Sequence, residues 1–117
     1  MNSEYEVVFY ERASGRRPMD DFLDEVPEKA RAKLMKWIKK LEAEGPNLPR
    51  PYADVVRGKI RELRVQFGGI QCRCLYFFDG KRIVMTDGFV KKTDKVPEGE
   101  ITRAESMMKE YYEKIPG

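Results

Sequence analysis

Histidine is missing from this 117-residue sequence, and cysteine occurs only twice. Without histidine the chain lacks the one side chain that ordinarily titrates near neutrality. It also lacks every Ser–His or Cys–His nucleophile pair and the common zinc ligand sets. Any catalysis must therefore run on Lys, Arg, Tyr or carboxylates. The two cysteines, Cys72 and Cys74, are one residue apart in a strand-like run, where they point the same way but are ill placed to bond each other. Both are expected to be buried free thiols in a reducing cytoplasm. No metal or other cofactor is expected, since a metal site would need ligands beyond two cysteines. Long apolar runs are missing too: none approaches the roughly 18 residues that span a bilayer. The start, Met1-Asn2-Ser3-Glu4, has no apolar stretch of the secretory kind, so neither a signal nor a membrane contact is expected. Gly-rich phosphate loops and paired-carboxylate signatures do not stand out either.

Charge is plentiful, at 37% of residues, and unevenly placed. The net +3 hides a segment from Arg57 to Lys95 with ten Lys/Arg against four acids, a local +6. The flanks are slightly acidic, −1 over residues 1–56 and −2 over 96–117. Size and composition suit one domain over residues 1–117 with a single modest core. A basic central segment between acidic flanks points to a polyanionic partner, nucleic acid foremost.

The basic segment also reads as strands. Ile60–Phe67 ends at the Gly68-Gly69 turn, Ile70–Phe78 ends at Asp79-Gly80, and Lys81–Val90 follows. Tight turns between three consecutive runs predict an antiparallel meander. Ahead of it, Tyr5–Tyr10 is a short strand, and Pro18 opens a short helix through about Val26. Pro27 opens a longer helix whose apolar stripe is Ala30, Leu34, Trp37, Ile38 and Leu41. Gly45-Pro46 stops that helix, and the Pro-rich loop 45–51 leads toward the sheet. A last helix from about Pro97 to Lys114 carries the stripe Ile101, Ala104, Met108, Tyr111 and Ile115. The expected fold is α+β, in the order β-α-α-β-β-β-α, with a small, mainly antiparallel sheet covered on one face by helices.

Alternation along the strands then singles out residues. In the middle strand Ile70, Cys72, Cys74, Tyr76 and Phe78 share one side, and Gln71, Arg73, Leu75 and Phe77 share the other. Arg73 is a charge inside an almost wholly apolar run, where leaving it unpaired would be costly. Ile60, Glu62, Arg64 and Gln66 form a polar-leaning row on the preceding strand, and Lys91-Lys92 closes the last one. Arg64, Arg73 and Lys91 or Lys92 together would make a shallow cationic floor. The plainer reading of Arg64 is an ion pair with an acid such as Glu62 or Glu100; that of Lys91-Lys92 is a solvated loop.

Three segments in combination resemble the phage-derived, HigB-like branch of the RelE/ParE toxin superfamily. They are Ile60-Arg61-Glu62-Leu63-Arg64, Cys72-Arg73-Cys74-Leu75-Tyr76-Phe77-Phe78 and Gly88-Phe89-Val90-Lys91-Lys92-Thr93, followed by an acidic helix after Val96-Pro97. The resemblance runs from about Tyr5 to Tyr112. It implies a RelE-like fold and a metal-independent endoribonuclease that cuts mRNA in the ribosomal A site. The RNA's own 2′-hydroxyl would attack, leaving a 2′,3′-cyclic phosphate. A cognate helix-turn-helix antitoxin would silence the toxin, and operator DNA would be met only through that complex. Carried over by motif, Arg64, Arg73, Lys91 and Lys92 become the catalytic group. Arg57, Lys59, Arg61, Lys81, Arg82 and Lys95 become RNA-binding or steering charges. The sequence departs from the RelE pattern in having Ile60 and Glu62 where lysines are usual, and no tyrosine among Thr93–Pro97. On the physical chemistry, arginine cannot serve as a base but stabilises charge growing on a phosphorane. Two alternatives stand beside this reading: a ParE-like gyrase inhibitor, and a non-enzymatic nucleic-acid-binding module kept for autoregulation.

Overall fold

The computed structural model describes residues 4–114, so the expectation for Ile115 lies outside the described residues. Strand β1 (Glu6–Phe9) is followed by helices α1 (Pro18–Glu25) and α2 (Glu28–Glu44) and one turn of 3-10 helix at Gly45–Asn47. Strands β2 (Ala53–Arg57), β3 (Ile60–Phe67), β4 (Ile70–Asp79) and β5 (Arg82–Val90) come next, then helix α3 (Glu98–Lys114). The sheet order is β1-β5-β4-β3-β2; β1 runs parallel to β5 and the other pairs are antiparallel. The meander expected from the two tight turns is present, with Gly68 and Gly80 at positive φ in its turns. Pro27 is the cap before α2 rather than its first residue.

One strand was not expected. Ala53–Arg57 follows a loop with Pro46, Pro49 and Pro51, but it pairs with β3 through Ala53–Val55 and Arg57, with a bulge at Val56, as the sheet's edge. Five residues carry too little alternation to signal a strand after so Pro-rich an approach.

The placement of the helices also differs from expectation: they cover both faces. On one face α1 and α2 bury Met19, Phe22, Leu34, Ile38 and Leu41 against Leu63, Val65, Cys72, Cys74, Tyr76, Ile83 and Met85. On the other, α3 sets Ala104 and Met107 on Ile60, Leu75, Phe77 and Val84. The cause is visible in β4, where both alternating sets are apolar over Cys74–Phe77, so both faces need a cover. Met107 is fully buried, while Met108 and Tyr111 pack at the margin. Polar tethers fasten α3 as well: Arg57 meets Glu98 and Glu105, Tyr10 donates to Glu110 at 2.6 Å, and Tyr111 donates to Asp79 at 2.7 Å. Cys72 and Cys74 are both buried and free.

Helix α1 lies so close to β5 that a Cβ on Gly88 would come within 2.3 Å of the Phe22 ring. Gly88→Ala is therefore expected to destabilise the fold by about 1–3 kcal/mol through overpacking. Gly69→Ala, where a Cβ meets nothing within 4 Å, should be close to neutral. Urea unfolding of both variants checks this.

Candidate functional site

The Gly68-Gly69 turn sets β3 against β4 so that Arg64 lies directly opposite Arg73. Two like charges facing each other across a ladder repel, and a carboxylate resolves the conflict. Glu62, one place along the same row, puts Oε1 3.0 Å from Arg73 Nε and Oε2 3.2 Å from Arg64 Nη2. Both Arg73 and Glu62 are buried, at 6% and 5% exposure. The Glu62–Arg73 contact is close, but its angle is too poor for a hydrogen bond, so charge rather than alignment holds it. Arg73 spends its other nitrogens on Cys72 O at 3.0 Å and Gln71 Oε1 at 3.2 Å. Burial lowers its pKa, which Glu62 partly restores.

The network continues outward. Arg64 Nη2 also reaches Asp54 Oδ2 at 3.4 Å, and Arg50 Nε approaches the same oxygen at 3.0 Å. The Val55 N–H first, then the Arg50 and Arg64 guanidiniums, hold the Asp54 carboxyl below its usual range. Three guanidiniums thus share two carboxylates, and the corner keeps a positive excess.

Beyond Ala53, which pairs with Leu63, β2 no longer shields the β3 edge. There Arg64 N–H bonds Tyr52 O at 2.8 Å, and a cleft of about 350 Å³ opens between α2 and the sheet. Its lining includes Lys33, Trp37, Tyr52, Arg64, Gln71 and Arg73. The Tyr52 ring stacks on Trp37 with centroids 4.7 Å apart and planes 25° from parallel. The Lys33 ammonium donates to the Gln66 carbonyl at the rim.

Of the expected catalytic group, Arg64 and Arg73 come together here. Lys91 and Lys92 line a separate hollow with Gly69, Thr93 and Asp94, and only Gln71 borders both. Lys92 also borders a groove on the α1 side, beside Phe22 and Glu25. The single continuous floor of Arg64, Arg73 and a lysine is therefore divided.

The expected RNA-contacting residues are mostly elsewhere and engaged. Arg57 clasps Glu98 and Glu105, Lys59 lies over the Tyr112 ring, Lys81 meets Glu4 and the Tyr5 ring, and Arg82 lies against Tyr111. Arg61 faces Tyr76 on the α1–α2 side. These five cluster at the end of the sheet where Arg82 pairs with Asp79, whereas Arg73 pairs with Phe89 seven residues on, roughly 20 Å away at strand rise. Lys95 is exposed in the loop before α3.

The ion pair read from the sequence between Arg64 and Glu62 is present, but sequence reasoning missed that Glu62 also serves Arg73, and missed Tyr52, Trp37 and Lys33 as neighbours of the arginines. For Glu62 a signal existed: counting back from the Gly68-Gly69 turn sets Arg64 against Arg73, a pairing that calls for an acid close by.

A second buried acid lies on the same face. Asp87 is 1% exposed, opposite Leu75, with Arg103 Nη1 3.6 Å from Oδ2. Burial pushes its pKa up to about 6. Thr86 Oγ1 lies 3.2 Å from Leu75 O and 3.0 Å from Asp87 Oδ1, and its hydroxyl, donating to the Asp87 carboxylate, works against the rise that burial causes. Among the described residues no cluster of three or more Asp, Glu or Cys could hold a metal ion.

Two outcomes follow. Glu62→Ala leaves Arg73 buried without its counter-charge and should cost about 3–5 kcal/mol in urea unfolding, while Glu62→Gln costs less. For Asp87 the folded pKa exceeds the unfolded one, so its stabilisation is complete below about pH 4 and is lost as pH rises through about 6. The parent should therefore lose on the order of 2–3 kcal/mol relative to Asp87→Asn between pH 4 and pH 7, read from urea curves of the pair.

No curated protein matches this chain. The family model described as phage-derived protein Gp49-like (DUF891) matches residues 21–109, from within α1 to within α3 and including the whole arginine corner. The chain belongs to the phage-derived Gp49-like family (DUF891).

Proposed function

We propose that this chain is the toxin of a type II toxin–antitoxin system, a HigB-like, ribosome-dependent mRNA endonuclease that needs no metal. The observation that carries the reading is the Arg64–Arg73 pair: two guanidiniums opposed across adjacent strands, held by one buried carboxylate at the mouth of an aromatic cleft. Membership of the Gp49-like family, which is associated with RelE-like and other toxin-like proteins, supports it.

In this mechanism the RNA 2′-hydroxyl attacks the adjacent phosphorus and releases its proton to water as the 2′-O–P bond forms. The P–O5′ bond breaks, the departing 5′-oxygen takes up a proton from a lysine or water, and the 2′,3′-cyclic phosphate remains. Arg64 is the more exposed guanidinium and offers donors to the phosphate oxygens. Arg73 adds charge from beneath, with Nη1 and Nη2 already donating to Cys72 O and Gln71 Oε1 and Glu62 beside its Nε as counter-charge. Charge growing on the phosphorane is stabilised by such pre-oriented donors, typically by 10²–10³ in rate per donor. Lys91 or Lys92, across Gln71 in the neighbouring hollow, assists the leaving group. The ribosome supplies the remaining alignment of 2′-oxygen and phosphorus. The toxin acts in the cytoplasm, and a helix-turn-helix antitoxin silences it.

The test uses variants that respect the buried charge balance. Arg73→Ala alone strands Glu62, so the informative pair is Arg64→Ala and the double variant Arg73→Gln/Glu62→Gln. Both should remain folded by circular dichroism and lose growth inhibition, with mRNA cuts within codons reduced 10²-fold or more in primer extension. Undiminished cutting in Arg64→Ala overturns the assignment. Growth arrest with no mRNA cuts in the parent would point to a gyrase inhibitor instead.

A further inference from the structure

The sheet corner contains more than an anion clamp. Beside Arg64, the stacked Trp37–Tyr52 pair leaves Tyr52 41% exposed, with one ring face against Trp37. An exposed aromatic lining the same cleft as paired guanidiniums suits a ligand that is planar at one end and anionic at the other. The cleft volume, about 350 Å³, suits a ligand the size of one nucleotide and is at the small end of ligand sites generally. Gln71, whose Oε1 is already held by Arg73, and Gln66, whose Nε2 reaches Gly68 O, add amide groups to the walls. Amides on the lining can meet the donor and acceptor edges of a base.

Competing occupants fit less well. An aliphatic side chain would leave the positive excess of the corner, three guanidiniums on two carboxylates, unmet. Inorganic phosphate would leave the aromatic platform unused. A single nucleotide of RNA uses both, because base–aromatic stacking and phosphate pairing are the two terms that bind single strands.

We propose that this cleft is a nucleotide subsite: one RNA base stacks on the Trp37-backed ring of Tyr52, and its 3′-phosphate lies against Arg64 with Arg73 beneath. This rests on the endonuclease reading for its RNA substrate, but it assigns Tyr52, Trp37 and the amides of Gln66 and Gln71 a role that reading does not include. Base stacking next to the clamp fixes which phosphate is presented to it.

Trp37 is the only tryptophan in the sequence, so its emission reports on this cleft alone. The full-length protein is titrated with 3′-GMP, 3′-AMP, 3′-CMP and inorganic phosphate at low and moderate salt. The expected result is saturable change in Trp37 emission by the purine 3′-nucleotides, weakened by salt, with phosphate competing but binding at least tenfold more weakly. Tyr52→Ala should shift the nucleotide midpoint tenfold or more, and Tyr52→Phe should leave it unchanged, both folded by circular dichroism. Equal binding of phosphate and nucleotide, or an unshifted midpoint in Tyr52→Ala, overturns the subsite. No nucleotide binding together with a change in Trp37 emission on adding an acidic peptide would also overturn it, in favour of a protein partner. The two readings fail separately. Loss of nucleotide binding with mRNA cutting intact refutes the subsite alone, and nucleotide binding without any cutting refutes the endonuclease alone.

Discussion

The carboxylate of Glu62 is what allows two arginines to occupy facing positions in the interior of a sheet. Taken out of water, Arg73 would be strongly destabilising by itself, and Arg64 across the ladder would make it worse. Glu62 divides its two oxygens between them, and Asp54 and Arg50 extend the alternation of sign to solvent. The result is a pre-oriented cationic corner whose geometry is set before any ligand arrives. Only the outer guanidiniums, Arg64 and Arg50, have room to respond to a ligand.

That arrangement changes the meaning of the +6 segment. Half of its ten cations are engaged by other side chains of the molecule: Arg57 by α3, Lys59, Lys81 and Arg82 by aromatic rings, and Arg73 by Glu62. Beside the cleft, Arg64, Lys92 and the α2 residue Lys33 add positive charge at one end of the sheet, while Lys59, Lys81 and Arg82 are exposed toward the other. A polyanion approaching the cleft meets a localised field there. The bias is toward orientation of the partner as much as toward affinity.

Legibility in the sequence followed the range of the interactions involved. The β3–β4–β5 meander was readable because turns at Gly68-Gly69 and Asp79-Gly80 are local and chemically explicit. Helix α2 was readable from its apolar period, and α3 from Ile101 and Ala104. Strand β2 was hidden, since its five residues owe their conformation to pairing with β3 rather than to their own pattern. The two-sided cover by helices was written in β4, where Cys74 to Phe77 are apolar on both alternations, yet the Arg73 argument drew attention to one face as open. Arg64 and Arg73 were legible as a pair because alternation and the turn place them. The cleft beside them was not, because Trp37 and Tyr52 meet only through tertiary packing and each reads alone as an ordinary core or loop aromatic.

The parallel pairing of β1 with β5 has an entropic side. Among the described residues the first strand of the chain pairs with the last alone, so its register, Glu6 with Arg82 through Phe9 with Met85, forms across about two thirds of the chain. Its outer edge is closed by the Glu42 carboxylate, which accepts the Val7 N–H at 2.7 Å. Closing so long a loop costs more chain entropy than closing the β3–β4 hairpin, where only the Gly68-Gly69 turn separates the strands that set Arg64 against Arg73. A chain interrupted before Arg82 would present that corner on a scaffold whose first strand has nowhere to dock.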